Sequence, residues 1–360
     1  MANRGDNHCG ETAEEFLADM EKKLVGGMIG IVVAIGMETG LFDVLISLGG
    51  EPKTSVEIAD AGNFKERYVR EWLGAMTAAR VVNFDPEEEK YWLPVHRSNI
   101  TELRGLAMSA PILCGGFLQV VGCFQKDGPP GVPFSQYPRF DELMTVTQGP
   151  WFHTKMIQEF IPSMPQIQKQ LDEGIEVLDA GCGAGLSTRI LAGHFPKSRF
   201  CGVDLSESAI LEVKETAKET GLTNVEFLAS DISRLPTDWT ERFHFVFISF
   251  VLHDLSYPAQ VLLEMYRVLR PGGTLSIIEV NSHSKLKDNL AFEDRDRICL
   301  DYTYSVLNCL PTSLVQGDGA GLGAFLGREE AQKMLETANF EVVAITEIAT
   351  ESMHIMCKKP

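Results

Sequence analysis

The chain has 360 residues, 44% of them hydrophobic and 23% charged, with a formal net charge of −18. That length accommodates two domains, and the composition is that of a soluble globular protein. The charge excludes a binder that holds nucleic acid mainly by Lys and Arg, and the lack of an uninterrupted run of 18 apolar residues gives no expectation of a transmembrane helix.

Residues 1 to about 12 are expected to lack structure, and the polar, acidic stretch Met1 to Asp19 is unlike a secretory signal. Thr12 to Lys23 has helical spacing. Gly26 to Gly36 is apolar on nearly every side, so a helix there must be wrapped by protein. Leu41 to Leu48 is a short helix. Thr54-Ser55-Val56-Glu57 is a capping box that opens another, ending near Gly62. Lys65 to Ala78 places Tyr68, Val69, Trp72, Leu73 and Met76 on one face. Val81 to Phe84 and Tyr91 to Leu93 flank Asp85-Pro86-Glu87-Glu88-Glu89 as a hairpin. Three helices and a hairpin make a winged helix, a motif that invites a DNA-binding reading. Residues 1–105 hold 11 Lys and Arg against 18 Asp and Glu, and the wing tip would set three glutamates against phosphates. A structural, dimerising or pocket-capping role fits that charge better.

Residues 106–170 read as a helical connector. Ala107 to Leu118, Asp141 to Thr147 and Trp151 to Met164 look helical, and Gly128 to Pro133 is a loop. Trp151, Phe152, His153, Met156, Phe160 and Met164 crowd the last helix. They form either an interdomain core stripe or a lid over a ligand. From Glu176 strands and helices alternate, which predicts an α/β domain with a mostly parallel sheet. Its strands are Glu176 to Ala180, Arg199 to Val203, Val225 to Leu228, His244 to Phe250, Thr274 to Glu279, Glu341 to Ala344 and His354 to Cys357.

The first of these strands ends in Asp179-Ala180-Gly181-Cys182-Gly183-Ala184-Gly185, a glycine turn that opens into a helix. Asp204 follows 23 residues after Gly181, at the end of the second strand. Small residues let the backbone approach a bulky ligand, and a carboxylate past the second strand can accept hydrogen bonds from both hydroxyls of a ribose. A dehydrogenase turn would read GxGxxG; here the spacing is GxGxG and position 186 is Leu. The eight cysteines are Cys9, Cys114, Cys123, Cys182, Cys201, Cys299, Cys309 and Cys357. None form a CxxC pair and most sit in apolar runs, so reduced core thiols of a cytoplasmic protein are expected, with neither a disulfide framework nor a metal site.

Residues 165–360 resemble the class I S-adenosylmethionine-dependent methyltransferases. The likeness rests on the Asp179–Gly185 motif, Gly202-Val203-Asp204-Leu205-Ser206, Ala229-Ser230-Asp231-Ile232 and Val268-Leu269-Arg270-Pro271-Gly272-Gly273. The front of the chain resembles, more loosely, the winged-helix domain of a group typified by a mycobacterial methyltransferase. The resemblance implies a Rossmann-like, seven-stranded, mostly parallel sheet over residues 171–360, preceded by a mainly α winged-helix domain. It implies S-adenosylmethionine as cofactor and a small-molecule acceptor between the two domains. Related enzymes build dimer interfaces on such N-terminal helices, so a homodimer is one expectation and a monomer that buries the helix is the other, while the charge and the short apolar runs give no expectation of a nucleic-acid or membrane partner. Gly181, Gly183 and Gly185 would lie beside the donor, Asp179 hold its ammonium, Asp204 its ribose and Asp231 its adenine amino group. Ile232 and Leu205 would flank the adenine, and Ser249 would line the amino-acid end.

In related small-molecule O-methyltransferases a His-Asp pair after the fourth strand supplies the base. His253 and Asp254 occupy that place, although the Trp usual after the pair is Leu255. A His there that merely caps the strand or orients the cofactor is the competing reading. The insertion 280–327 is expected to recognise substrate, with Tyr302 or Asn308 positioning the acceptor and Trp151, Phe152 and His153 as further substrate-binding candidates; the other reading is that Tyr302 and Val306 pack on the N-terminal domain and the insertion's glycines form an ordinary loop. A protein of the same fold that binds the cofactor or its product without transferring a methyl group, as a sensor does, remains the alternative.

Overall fold

The computed structural model describes residues 11–323 and 326–360. Cys9 and nearly all of the start expected to lack structure lie outside the described residues, as do two positions of the insertion, 324 and 325. The chain divides into two compact units, Met1–Pro111 and Ile112–Pro360.

The first unit is helical with a small sheet. α1 (Ala13–Thr39) is one continuous helix, where the sequence suggests two segments, because Gly26 and Gly27 continue it without a break. Within one chain its C-terminal part is packed, with Ala34, Gly36 and Met37 buried, while Met28 is 65% exposed. α2 (Leu41–Ser47), α3 (Ser55–Gly62) and α4 (Glu66–Ala78) follow. The Thr54 capping box forms as expected, with Glu57 N–H donating to the Thr54 hydroxyl and Thr54 N–H to the Glu57 carboxylate. The hairpin is β2 (Asn83–Asp85) with β3 (Lys90–Trp92), and an unanticipated two-residue strand, β1 (Lys53–Thr54), pairs with β3. Phe42, Ile58, Val69, Leu73, Met76 and Leu93 form the core of this unit.

The helical stretch Val95–Cys123 is long and apolar enough to cross a membrane by length and composition. No uninterrupted run of 18 apolar residues occurs in it, so the expectation of no transmembrane helix rested on a narrower criterion. Its helices are α5 (Arg104–Leu113) and α6 (Phe117–Cys123), joined by a 3-10 turn at Cys114–Gly116, so the single helix expected from Ala107 to Leu118 is broken.

α7 (Phe140–Lys155) also departs from expectation. It runs unbroken through Pro150 and passes into a π turn, Met156–Phe160, where two separate helices were expected. Pro removes one backbone bond. Burial of Phe152, Met156 and Phe160 in one core holds the segment in line. α8 (Pro165–Glu173) leads into the sheet.

The sheet comprises β4 (Glu176–Ala180), β5 (Arg199–Asp204), β6 (Val225–Ala229), β7 (Phe243–Ser249), β8 (Leu269–Val280), β9 (Glu341–Ala349) and β10 (Ser352–Lys358). Its order is β6-β5-β4-β7-β8-β10-β9, parallel except for β10, which runs antiparallel to both neighbours. α9 (Leu186–His194) follows β4, α10 (Glu207–Glu219) follows β5, and α11 (Pro258–Val268) lies between β7 and β8.

The alternation along β7 explains the layering. Phe245 and Phe247 point into one core with Phe152, Phe160 and Leu191, while Val246 and Ile248 point into the other with Leu262 and Met265. A central parallel strand buried on both faces is apolar at every step. Phe245→Ala should therefore cost about 3–5 kcal/mol of stability. Urea unfolding followed by far-UV circular dichroism checks this, and an unchanged midpoint would show that the side chain packs loosely.

Candidate active site

Turns at the carboxyl ends of parallel strands bring distant residues into one crevice. Here the loops after β4, β5, β6 and β7 line a cavity of about 960 Å³, and one flank is formed by Phe134, Phe140, Met144, Gln148 and Phe152 on and before α7.

The turn after β4 has the conformation that its glycines allow. Gly181 has φ +82° and Gly185 φ +65°. A Cβ on Gly181 would come within 2.5 Å of Val251, and one on Gly185 within 2.6 Å of Val213. Gly183 N–H donates to Asp204 Oδ2 at 2.7 Å, and Ser206 N–H to Oδ1 at 2.9 Å. Burial pushes the Asp204 carboxyl above its ordinary value, against the lowering effect of these N–H groups.

Asp179, at the end of β4, is buried. Ser187 and Thr188 at the start of α9 donate their hydroxyls to its Oδ2 at 2.5 and 2.6 Å. Burial outweighs those bonds and pushes its pKa up to about 6. Asp231 is exposed at the cavity wall with Ser233 N–H on its Oδ1, while Ile232 is buried beside it. Leu205 is 73% exposed and lines the same space. Ser249 Oγ is buried without a hydrogen-bond partner among the described residues. Phe250 next to it has φ +55°, a left-handed conformation that is unusual for a bulky side chain and is often found at functional sites.

The expected catalytic pair separates into front and back. Asp254 lines the cavity, whereas His253 is buried behind it and does not. His253 Nδ1 lies 2.6 Å from Glu279 Oε2 at the end of β8, and its Nε2 lies 3.3 Å from Asp254 Oδ1. Burial alone would lower the His253 pKa. The carboxylates of Asp254 and Glu279 outweigh it and hold the imidazole well above its usual value. Burial, with Glu279 adding to it, also raises Asp254, although an isolated ion pair would lower a carboxylate. The shifts agree once the group is taken as one imidazole shared by two buried acids, which leaves surplus negative charge for a proton to neutralise.

The expected substrate residues divide similarly. Phe152 lines the cavity; Trp151 and His153 do not. Trp151 packs edge-on against Phe152 and Phe160, and His153 is exposed. Tyr302 is half-buried on the helix Arg295–Tyr304, and Asn308 is buried on the π turn Ser305–Cys309; neither lines this cavity. Glu279 and Cys309, both beside His253, were not singled out from sequence. A lone acid after Ile277-Ile278, near the end of a buried strand, was the available signal for Glu279.

Residues 171–350, half of the chain, match the methyltransferase domain family, and residues 27–102 match the Rv2258c-like winged HTH domain. The chain belongs to this family of S-adenosylmethionine-dependent methyltransferases. The demethylmenaquinone methyltransferase of Listeria welshimeri is 34% identical over 145 residues, which cover 40% of this chain and 58% of that protein. The chain thus spans little more than half the length of this relative. Among solved structures, human N-acetylserotonin methyltransferase in complex with SAM superposes with a TM-score of 0.64 at 16% identity, covering 98% of this chain and 99% of that one. Mitomycin 7-O-methyltransferase MmcR gives 0.65 at 16%, covering 97% and 98%. At these identities the likeness is one of fold.

The methyltransferase cavity fits the cofactor. Asp179, Asp204, Asp231 and Asp254 line it, a charge suited to a sulfonium and an ammonium, and the orphaned Ser249 hydroxyl awaits a polar partner. Ser249→Ala removes a buried hydroxyl that gains nothing in the free protein. It should leave the stability unchanged or higher, by up to about 1 kcal/mol, while weakening S-adenosylmethionine binding about fivefold. Thermal melts with and without cofactor separate the two effects; a lower midpoint without ligand would mean that the hydroxyl serves the fold.

Proposed function

We propose that the chain transfers a methyl group from S-adenosylmethionine to a small-molecule acceptor held in the same cavity. The observation that carries this reading is the meeting, in one cavity, of the Gly181–Gly185 turn with the strand-end carboxylates Asp179, Asp204, Asp231 and Asp254. The bound cofactor supplies an electrophilic methyl carbon, which bonds to the acceptor's lone pair as the carbon–sulfur bond breaks with its electrons staying on sulfur.

The chain's residues hold and orient the two partners. Asp204 accepts from the ribose hydroxyls. Asp231 accepts from the adenine amino group, with Ile232 and Leu205 against the ring, and Asp179 receives the ammonium on the side not occupied by Ser187 and Thr188. The α7 wall, with Gln148 and Phe152, keeps water from the methyl group. The acceptor's nucleophilic atom lies at the Asp254 end. Its proton passes to the Asp254 carboxylate, while Glu279 holds His253 behind it as a fixed positive charge. Alignment and proton removal are what this displacement requires of a protein.

We also propose a cytoplasmic homodimer without a nucleic-acid partner. The exposed apolar side chains Leu17, Leu24 and Met28 on α1 support association. The exposed Glu87, Glu88 and Glu89 at the hairpin tip would repel phosphates. A sensor that binds the cofactor without transferring its methyl group is the competing reading, and turnover separates the two.

In calorimetric titration, S-adenosylmethionine and S-adenosylhomocysteine should bind at micromolar concentration. Asp204→Ala should weaken both at least about 30-fold, roughly the 2 kcal/mol of charge-assisted hydrogen bonds. An unaffected mutant would sink the assignment of the ribose. Transfer of labelled methyl to any member of an acceptor panel separates enzyme from sensor.

The pH dependence follows from Asp179. Its pKa of about 6 lies above the ordinary 3.8, so in the free protein it binds a proton more tightly than an exposed carboxyl. A ligand ammonium favours the ionised form and must displace that proton. Affinity should therefore rise as pH increases through about 6 and level off above, with proton release measurable by titrating in buffers of different ionisation enthalpy. Asp179→Asn should flatten this profile; a wild-type affinity independent of pH between about 5 and 7 would remove the ammonium from Asp179.

A further inference from the structure

We propose that His253, Asp254 and Cys309 form a binding site for a divalent transition-metal ion of the zinc type, open on the cavity side to the acceptor's nucleophilic atom. The site itself stands on geometry alone, and the role given to its open position rests on the methyl-transfer reading.

One nitrogen, one carboxylate oxygen and one sulfur from these residues lie within 4.8 Å of one another. His253 and Cys309 are buried, and Asp254 is the member that reaches the cavity. His253 Nε2 and Asp254 Oδ1 are 3.3 Å apart, yet Oδ1 is buried and has no hydrogen-bond partner among the described residues, while the Cys309 side chain lies against both His253 and Asp254. The two atoms are close enough to be held by one ion. Nitrogen and oxygen ligands each about 2.0 Å from a tetrahedral zinc stand about 3.3 Å apart, so the observed edge has the length that coordination requires.

The surroundings also match. His253 Nδ1 points at Glu279 Oε2, 2.6 Å away. That carboxylate–histidine contact orients the ring so that Nε2 points at the cluster, the arrangement usual behind a metal-bound histidine. Cys309 comes from a π turn, Ser305–Cys309, and such turns recur at functional sites. A nitrogen, sulfur and oxygen set suits zinc or cobalt and not magnesium or calcium, which take oxygen ligands.

Three protein ligands leave a fourth position, as in catalytic zinc sites. Asp254 places that position at the cavity. An acceptor hydroxyl or thiol bound there loses its proton to solvent water as the metal lowers its pKa. Its lone pair is then free to form the bond to the methyl carbon. In the loaded protein the ion thus takes over proton removal from the bare Asp254 carboxylate.

The experiment uses the full chain, stripped with EDTA and titrated with Co2+, then with Zn2+ in competition. One Co2+ per chain is expected, with the visible bands of tetrahedral cobalt and a near-ultraviolet charge-transfer band from the Cys309 thiolate. Zn2+ should displace it. Cys309→Ser should abolish the charge-transfer band, and Cys299→Ser, at an exposed cysteine, should leave it intact. Asp254→Asn changes little in shape and should weaken binding at least tenfold, which keeps the test decisive if Cys309→Ser fails to fold. Absence of bound cobalt in a chain shown folded by circular dichroism would overturn the proposal. So would a charge-transfer band that persists in Cys309→Ser, or unchanged affinity in Asp254→Asn. S-adenosylmethionine titration of the same samples separates the two readings. Cofactor binding without metal overturns the metal site alone, whereas metal without cofactor supports the site and removes the methyl-transfer reading.

Discussion

The hydrogen bond from Gly183 N–H to Asp204 Oδ2 ties the turn after β4 to the end of β5. Gly181 N–H and Cys182 N–H both donate to Val203 C=O just before it, at 2.8 and 3.0 Å. The turn is therefore not a free loop; it is seated on the neighbouring strand. Its course between Val251 on one side and Phe227 and Val213 on the other leaves no room for a Cβ at Gly181 or Gly185. Small residues are thus demanded by the protein's own packing before any ligand is considered. The cavity exists because this backbone hugs the strand ends instead of arching over them.

The same packing makes the carboxylates costly. Asp179 and Asp204 are held in a setting that disfavours their charge, and burial wins over the hydroxyl and amide donors in both. A protein concerned only with stability would place an apolar or amide group there. Ionised acids kept under such penalty gain most when a cation enters, since the ligand's charge relieves a strain already present in the free state. The orphaned Ser249 hydroxyl and the left-handed Phe250 belong to the same economy: local features unfavourable in isolation gather where a ligand would bind.

The legible part of the chain was the part encoded locally. Gly181, Gly183, Gly185, Asp204 and Asp231 follow their strands by a few residues, so strand and turn patterns alone place them at one edge of a parallel sheet. The central strands β4, β5 and β7 were found by the same route, because buried parallel strands are apolar at nearly every position. The single long α1 and the passage of α7 through Pro150 were not legible. Both depend on tertiary packing that overrides the local cost of glycine and proline, as burial of Phe152, Met156 and Phe160 does for α7. Trp151 and Phe152 are adjacent in sequence, yet only Phe152 faces the cavity; a helix turns about 100° per residue, and the helix's rotation about its axis is set by the core.

The cluster behind Asp254 shows why some chemistry escapes sequence reading. Ser249 pairs with Ile278 across β7 and β8, so His253, just past β7, and Glu279, near the end of β8, arrive side by side although 26 positions separate them. Cys309 comes from a third place, the π turn of the insertion. No spacing rule joins a histidine, an aspartate, a glutamate and a cysteine drawn from three segments, and a search for CxxC pairs passes over them. Their meeting nevertheless has an electrical consequence. Two buried acids around one imidazole leave negative charge that something must neutralise. A proton on the His253 imidazole offsets part of it in the bare chain and leaves Asp254 as the base. A metal ion does so while leaving Asp254 and His253 to act as ligands, and it adds a position for the acceptor. The geometry favours the second arrangement because Asp254 Oδ1 stands within reach of the histidine and makes no hydrogen bond to it.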